Sequence, residues 1–274
     1  MIYNNKNIFK CSLTSAAIEV LNTPDPDEKV KLSFLISQNW DNGSLLKIDN
    51  VIPPAYPARP SYPQLIDPKK VARRRINTAV PGRVALLHAL AHIELNAIDL
   101  AWDIIARFSS QELPIQFFTD WIKVAADEAK HFSILSNRLY EFDKKYGDLE
   151  AHDGLWDSAW ATRHDLAARL AIVPLVLEAR GLDVTPKMIT KLRNAGDIGS
   201  ADILEIIYND EIQHVKTGKV WFDFICASRG VLPEKTWQNY VSEFFKGNLK
   251  PPFNKIARDS AGIPVSWYNS KINS

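Results

Sequence analysis

The feature that most constrains this chain is a pattern of acids and histidines that occurs twice. Each copy is a single glutamate followed, 33 or 34 residues later, by the glutamate of an Asp-Glu-x-x-His sequence. Every copy lies in stretches with the apolar periodicity of a helix. The pattern therefore predicts two helical hairpins, each with one helix that supplies a glutamate and one that supplies a Glu-x-x-His pair. Its members are Glu94, Asp127, Glu128 and His131, then Glu178, Asp210, Glu211 and His214.

Four long helices follow from this periodicity and from the start and stop signals around it. Pro174 precedes Glu178 by one turn and should bend the third helix. We expect that helix to end at Gly181, and a short helix to begin at Thr185 and Pro186 and run to Asn194. The fold class is therefore all-α, a four-helix bundle. The four helices are predicted at residues 81–108, 114–146, 158–180 and 200–228.

Extensions are predicted on both sides of the bundle, which occupies residues 81–230. The N-terminal extension, residues 1–80, should hold two short helices at 12–21 and 28–37, followed by a proline-rich, extended segment. The C-terminal extension, residues 231–274, should hold one helix from Pro233 to about Phe245 and an irregular tail that covers the bundle.

The four glutamates are expected to bind metal ions because a buried carboxylate without a counter-charge is too costly to keep ionised. The apolar stripes contain no Arg or Lys at the matching level. Two divalent ions carry four positive charges, which four carboxylates balance. Carboxylates with two imidazoles suit iron or manganese. A bundle with one Glu from each of two helices and one Glu-x-x-His from each of the others is a di-metal ligand set. The predicted ligands are Glu94, Glu128, His131, Glu178, Glu211 and His214.

Other polar residues near the ligands have two interpretations. Asp127 and Asp210 lie about 100° around the helix from the ligand face. From there they could accept a hydrogen bond from a ligand histidine, or simply face water. His88 and His92 share a face beside Glu94 and are expected to support the site or to be satisfied helix-face histidines. Tyr208, one turn before Glu211, is either a core tyrosine or a hydrogen-bond donor or radical relay near the metals.

Composition excludes few classes but guides the prediction of location and partners. The net charge of +1 gives no reason to expect wholesale binding to nucleic acid. A basic run at residues 69–75 is most simply a solvated face, and phosphate contact is the alternative. Two cysteines, Cys11 and Cys226, do not make a disulfide framework, which favours a reducing compartment. With no signal peptide and no membrane span recognised, we expect a cytoplasmic protein.

The chain resembles the ferritin-like di-iron carboxylate superfamily over residues 81–229. Within that superfamily its flanking segments are similar to one bacterial family, known as domain of unknown function 455. The segments that show this similarity are Ala58-Arg59-Pro60-x-x-Pro63-x-Leu65-x-x-Pro68, His88-Ala89-Leu90-Ala91-His92-Ile93-Glu94, Lys250-Pro251-Pro252-Phe253-Asn254, Ala257-Arg258 and Ala261-Gly262.

The resemblance implies chemistry with oxygen or peroxide at two iron ions, with manganese or a mixed Mn/Fe pair as alternatives. It implies that the six residues predicted above are the metal ligands. It also suggests that the glutamates of the two Glu-x-x-His pairs bridge the ions. We expect a hydroxylase or oxygenase that acts on O2 and an unknown substrate, with a separate electron donor, as a monomer or dimer. Related tRNA-modifying hydroxylases keep tRNA open as a substrate. The alternatives are a protein that sequesters or oxidises iron without an organic substrate, and a helical scaffold without metal.

Overall fold

The computed structural model describes residues 12–45, 47–67, 70 and 79–269, and every regular element within them is helical. The fold class predicted from the sequence, all-α, is therefore confirmed for this part of the chain. The basic run at 69–75 and Cys11 lie almost wholly outside it, Lys70 excepted. The elements are α1 (Leu13–Asn22), α2 (Pro26–Asp41), α3 (Val80–Arg107), α4 (Ile115–Tyr140), α5 (Gly154–Ala161), α6 (Leu166–Ile172), a π-helical turn (Val173–Glu178), α7 (Ala179–Asn194), α8 (Ile198–Ser228), α9 (Pro233–Phe244), α10 (Lys255–Ser260) and α11 (Val265–Tyr268).

The chain divides into two compact units, and α3 contributes residues to both. Unit 1 contains α1, α2, α4, the proline-rich segment and α3 from Leu87 onward. Unit 2 contains the first residues of α3 and everything from Asp153 onward.

Unit 1 is held together by buried polar contacts as well as by its apolar core. The indole Nε1 of Trp102 donates a hydrogen bond of 2.9 Å to Ser33 Oγ, which links α3 to α2. Lys29 and Arg59 both form ion pairs with Asp99, whose side chain is fully buried. Arg59 belongs to the proline-rich segment, which is non-helical as predicted. The ion pair between Arg59 and the buried Asp99 therefore holds this segment against α3.

Unit 2 is built on a helical hairpin in which α6, the π turn and α7 run antiparallel to α8. Asp165, which caps α6, pairs with Arg229 at the end of α8, with 2.9 Å between Oδ1 and Nη2. At the opposite end Arg193 of α7 lies 2.6 Å from Glu205 near the start of α8. The first residues of one helical arm of the hairpin therefore contact the last residues of the other arm.

The predicted bounds of the third helix, 158–180, are wrong at both ends. This helix begins at Leu166 rather than 158, and it continues through Gly181 and Pro186 to Asn194. The bend expected at Pro174 takes the form of a π turn. Gly181 and Pro186 were interpreted as a stop and a start, but burial of the next turn, at Leu182, outweighs these weak local signals.

The boundaries of the remaining helices differ by small amounts. α4 ends at Tyr140, six residues before the predicted end, and a turn with a positive φ of 53° at Asp143 follows it. α2 extends to Asp41, and the tail expected to be irregular contains the short helices α10 and α11. By length and composition α3 could cross a membrane, which the sequence analysis did not anticipate. However, 78% of its most apolar window is buried within the protein, as in an ordinary core helix.

Candidate metal centre

The first half-site lies in unit 1 and is formed by Glu94, Glu128 and His131. α3 presents Glu94, while α4 presents the other two residues one turn apart, on a single face. His131 Nδ1 lies 3.3 Å from Glu94 Oε2 and 3.4 Å from Glu128 Oε2. One ligand atom from each residue falls within 4.8 Å of the others. The sequence predicted these three residues together, and the structure brings them together.

The half-site is almost completely removed from water, which makes its charge the dominant property. The side chains of Glu94, Glu128 and His131 are 5%, 1% and 0% exposed. Burial, and then the charge of Glu128, raise the pKa of Glu94 well above its ordinary value. Burial opposes a charged His131, but hydrogen bonds and attraction from Glu128 and Glu94 raise its pKa to about 11. Without another cation, burial and repulsion from Glu128 thus favour a proton on Glu94, and the two acids favour a proton on His131.

These donors fit a metal ion by their chemistry and their spacing. Two carboxylates and one imidazole form an oxygen-rich, mixed donor set of the kind that binds iron or manganese. A hard cation would replace the imidazolium proton as the positive charge in the cluster, since a ligand histidine must be deprotonated. The half-site therefore has both the donor atoms and the electrostatic demand that a metal ion satisfies.

Two buried histidines of α3, His88 and His92, form a cluster with Tyr146 in unit 1. His92 Nε2 donates to the carbonyl oxygen of His152 at 2.9 Å, so Nδ1 accepts the hydroxyl hydrogen of Tyr146 at 2.8 Å. Burial lowers the pKa of His92 to about 4, which keeps the ring neutral. His88 Nε2 accepts the backbone N–H of Gly147 at 2.9 Å. These hydrogen bonds agree with the expectation of satisfied histidines beside the Glu94 stripe.

Tyr146 is a residue of this cluster that sequence reasoning missed. It was placed inside a predicted helix, whereas it lies in the turn after α4. Its ring stacks on His88 with 5.3 Å between centroids and packs edge-on against Phe132. The one available signal was the following glycine, Gly147, whose φ of 102° marks a sharp turn that positions the tyrosine.

The second set of predicted ligands, called the second half-site, lies in unit 2 on the π turn and α8. On α8, Glu211 Oε1 lies 3.4 Å from His214 Nδ1, and the histidine is buried. Glu178, at the end of the π turn, is half-buried. π turns within α-helices occur frequently at functional sites. The antiparallel register of the hairpin sets Glu178 at the level of His214, because Pro174 contacts Gly218, four residues further along α8.

The remaining predicted residues have partners of their own in the structure. Asp127 is paired with Lys123 of its own helix, with 2.7 Å between the charged atoms, and Lys130 lies 3.9 Å away. Asp210 is half-buried on α8. The supporting role predicted for these two aspartates stays a prediction. The hydroxyl of Tyr208 accepts a hydrogen bond of 2.9 Å from Asn254 Nδ2, which belongs to the covering tail.

The fold and the site together define an all-helical protein with a buried Glu/His cluster able to hold a metal ion. Comparison with known proteins places it more narrowly. The chain belongs to the family described as protein of unknown function DUF455, whose model matches residues 22–269, as its resemblance predicted. It is 39% identical over 257 residues to a protein of Haemophilus influenzae described as uncharacterized, covering 89% of this chain and 88% of that protein. No solved structure matches the chain.

Proposed function

We propose that this protein is a non-haem di-iron oxidoreductase of the hydroxylase or oxygenase type, built on a ferritin-like four-helix bundle. The observation that supports the proposal most strongly is the first half-site. Three buried side chains from two helices hold their donor atoms within 4.8 Å, although burying acids is unfavourable without a cation. A merely structural core gains nothing from this arrangement that apolar residues would not supply.

The repeat in the sequence extends the proposal from one ion to two. Glu94, Glu128 and His131 would hold one ion, and the matching residues of the second copy, Glu178, Glu211 and His214, would hold the other. Four carboxylates then balance the four charges of two divalent ions. A ligand set of four glutamates and two histidines in paired Glu-x-x-His motifs is that of di-iron and di-manganese carboxylate bundles.

Bound Fe(II) ions would supply the electrons and the open coordination positions for reaction with O2. The protein's own residues would fix the ligands and exclude bulk water. Burial of Glu94 and Glu128 does both, because ligands with under a tenth of their surface exposed hold one geometry. Burial keeps the His92 ring neutral by lowering its pKa to about 4, so this histidine adds no competing positive charge on α3. A separate donor would return the electrons.

A pair of matched substitutions tests the metal site. Glu128→Gln keeps the volume of the side chain and removes the charge from a residue whose side chain is 1% exposed. Glu141→Gln makes the same chemical change at the end of α4, where the side chain is 61% exposed. We expect Glu128→Gln to lose bound iron and Glu141→Gln to retain it, measured by elemental analysis of protein purified from iron-supplied cells. Equal iron content in both variants and wild type would overturn the assignment.

Iron stoichiometry separates an oxygenase from a protein that sequesters iron. An oxygenase takes up about two Fe(II) per chain and then saturates, as its ligand set dictates. A sequestering protein would continue to take up and oxidise iron in large excess over two per chain when O2 is present. Titration of the metal-free protein with Fe(II) in air, followed by desalting and iron determination, distinguishes the two.

A further inference from the structure

One contact in unit 2 allows no side chain larger than glycine. A Cβ atom added to Gly218 would lie 2.4 Å from Pro174 Cβ and 2.5 Å from Pro174 Cγ. Real Cβ atoms essentially never come within 3.0 Å of another heavy atom, so both distances are too short. The obstructing atoms belong to a rigid proline ring. A glycine inside a helix lowers helix stability, so its presence in α8 indicates a packing requirement. At this point α8 and the π turn come into direct contact.

The position of this contact relates it to the second half-site. Pro174 is four residues before Glu178, and Gly218 is four residues after His214. Because the two segments are antiparallel, moving one turn from the contact toward Glu178 also moves one turn toward His214. Residues four apart share a helix face. The contact therefore sets the level at which Glu178 stands relative to His214.

The π turn connects the same contact to the rotation of Glu178. The N–H of Ala179 donates to the carbonyl oxygen of Pro174, five residues earlier, which is the bond of a π turn. One additional residue in a turn changes the rotational position of all later residues by about 100° relative to an uninterrupted α-helix. Pro174 accepts this bond as the second residue of the turn, and Glu178 is the last residue of the turn. A shift at Pro174 would thus be passed to Glu178 as a rotation.

We propose that Gly218 and Pro174 are positioning residues for the second half-site: their contact sets the height and rotation at which Glu178 meets Glu211 and His214. This inference rests on the proposed metal-binding function and adds the residues that orient its second ligand group. Glycine at position 218 is required by the ring of Pro174, and no metal ligand is changed when either residue is replaced.

Three variants test the inference, with Co(II) as the probe in place of iron. Gly218→Ala introduces the forbidden Cβ. Gly181→Ala is the matched control, because a Cβ at this helical glycine meets no atom within 4 Å. Pro174→Gly combined with Gly218→Ala removes the opposing ring and its Cβ, and so restores the space. Each protein is titrated with Co(II), and its ligand-field absorption spectrum, bound Co(II) per chain and melting temperature are recorded.

The expected result is that wild type and Gly181→Ala bind about two Co(II) per chain. Gly218→Ala should retain the first half-site, bind about one Co(II), and show a changed spectrum. The double variant should recover the second ion. Two ions and an unaltered spectrum in Gly218→Ala would overturn the inference alone. Failure of the double variant to recover the second ion would also overturn it, including where Gly218→Ala does not fold. No binding by wild type would instead overturn the proposed function, and this inference with it.

Discussion

Replacing Arg258 should destabilise unit 2 by a large and measurable amount. Its guanidinium donates to both carboxylate oxygens of Asp183, at 2.8 Å from Nε and 2.7 Å from Nη2. The two side chains are 2% and 0% exposed, so the ion pair is fully buried. Arg258→Met keeps most of the apolar volume but leaves the buried carboxylate with only a half-exposed cation, Arg180, at 3.5 Å. Removing one partner of such a pair costs about 3–5 kcal/mol.

This free energy corresponds to a fall in melting temperature of roughly 6–20 °C, at 2–4 °C per kcal/mol for a domain of this size. Urea unfolding followed by circular dichroism gives the free energy directly. The control is Arg193→Met, which removes an exposed pair whose side chains are 47% and 52% accessible, and which should cost about 0–1 kcal/mol. If Arg258→Met lowers the free energy of unfolding no more than Arg193→Met does, the buried pair does not stabilise unit 2 as its burial indicates.

Two further changes test other parts of the structure. Phe117 is fully buried in unit 1, and Phe117→Ala should cost about 3–5 kcal/mol in urea unfolding, whereas Phe34→Ala, at a position 42% exposed, should cost far less. Burial opposes the charge of Asp165, but hydrogen bonds from Arg229 and Tyr240 lower the pKa of its carboxyl below the ordinary value. Its contribution to stability is therefore complete above the unfolded pKa of about 4 and is lost as pH falls through the lower folded pKa. The stability difference between wild type and Asp165→Asn, measured by urea unfolding from pH 7 to pH 2, should shrink only below about pH 4; a constant difference would contradict this origin.

The first half-site could be predicted from sequence because its determinants are local. The three-residue spacing of Glu128 and His131 places them on one face of any helix, and apolar neighbours bury that face. Glu94 lies in the middle of an apolar stripe, where a carboxylate has few alternatives to a cation. Both relations depend on helical spacing and apolar neighbours, which can be read from each helix by itself.

The features that could not be predicted depend on contacts between distant parts of the chain. Gly181 was interpreted as a helix stop, but the helix continues because Leu182 and Asp183 are buried, the latter against Arg258. The partner of Asp183 lies 75 residues away, so no local pattern reveals it. Similarly, Pro174 predicted a bend, but its close packing against Gly218 of α8 could not be predicted from local sequence.

The tail residues Asn254 and Arg258 make hydrogen bonds that explain why this part of the tail packs on unit 2. Asn254 donates from its amide to the carbonyl oxygen of Leu182 and to the hydroxyl of Tyr208, which joins α7 to α8. Its backbone N–H and the guanidinium of Arg258 both bind Asp183. The tail therefore links α7 to α8 beside the segments that carry the proposed second ligand group.

The central claim is tested most directly by the metal content of the wild-type chain. Protein purified from iron-supplied cells is analysed for iron and manganese, and the anaerobic Fe(II) form is then exposed to O2 in a spectrophotometer. The proposal predicts about two iron ions per chain and a change in near-ultraviolet and visible absorption on exposure to O2. Protein without iron or manganese, and without any spectral change after Fe(II) and O2, would contradict it and leave a helical scaffold whose buried glutamates serve another purpose.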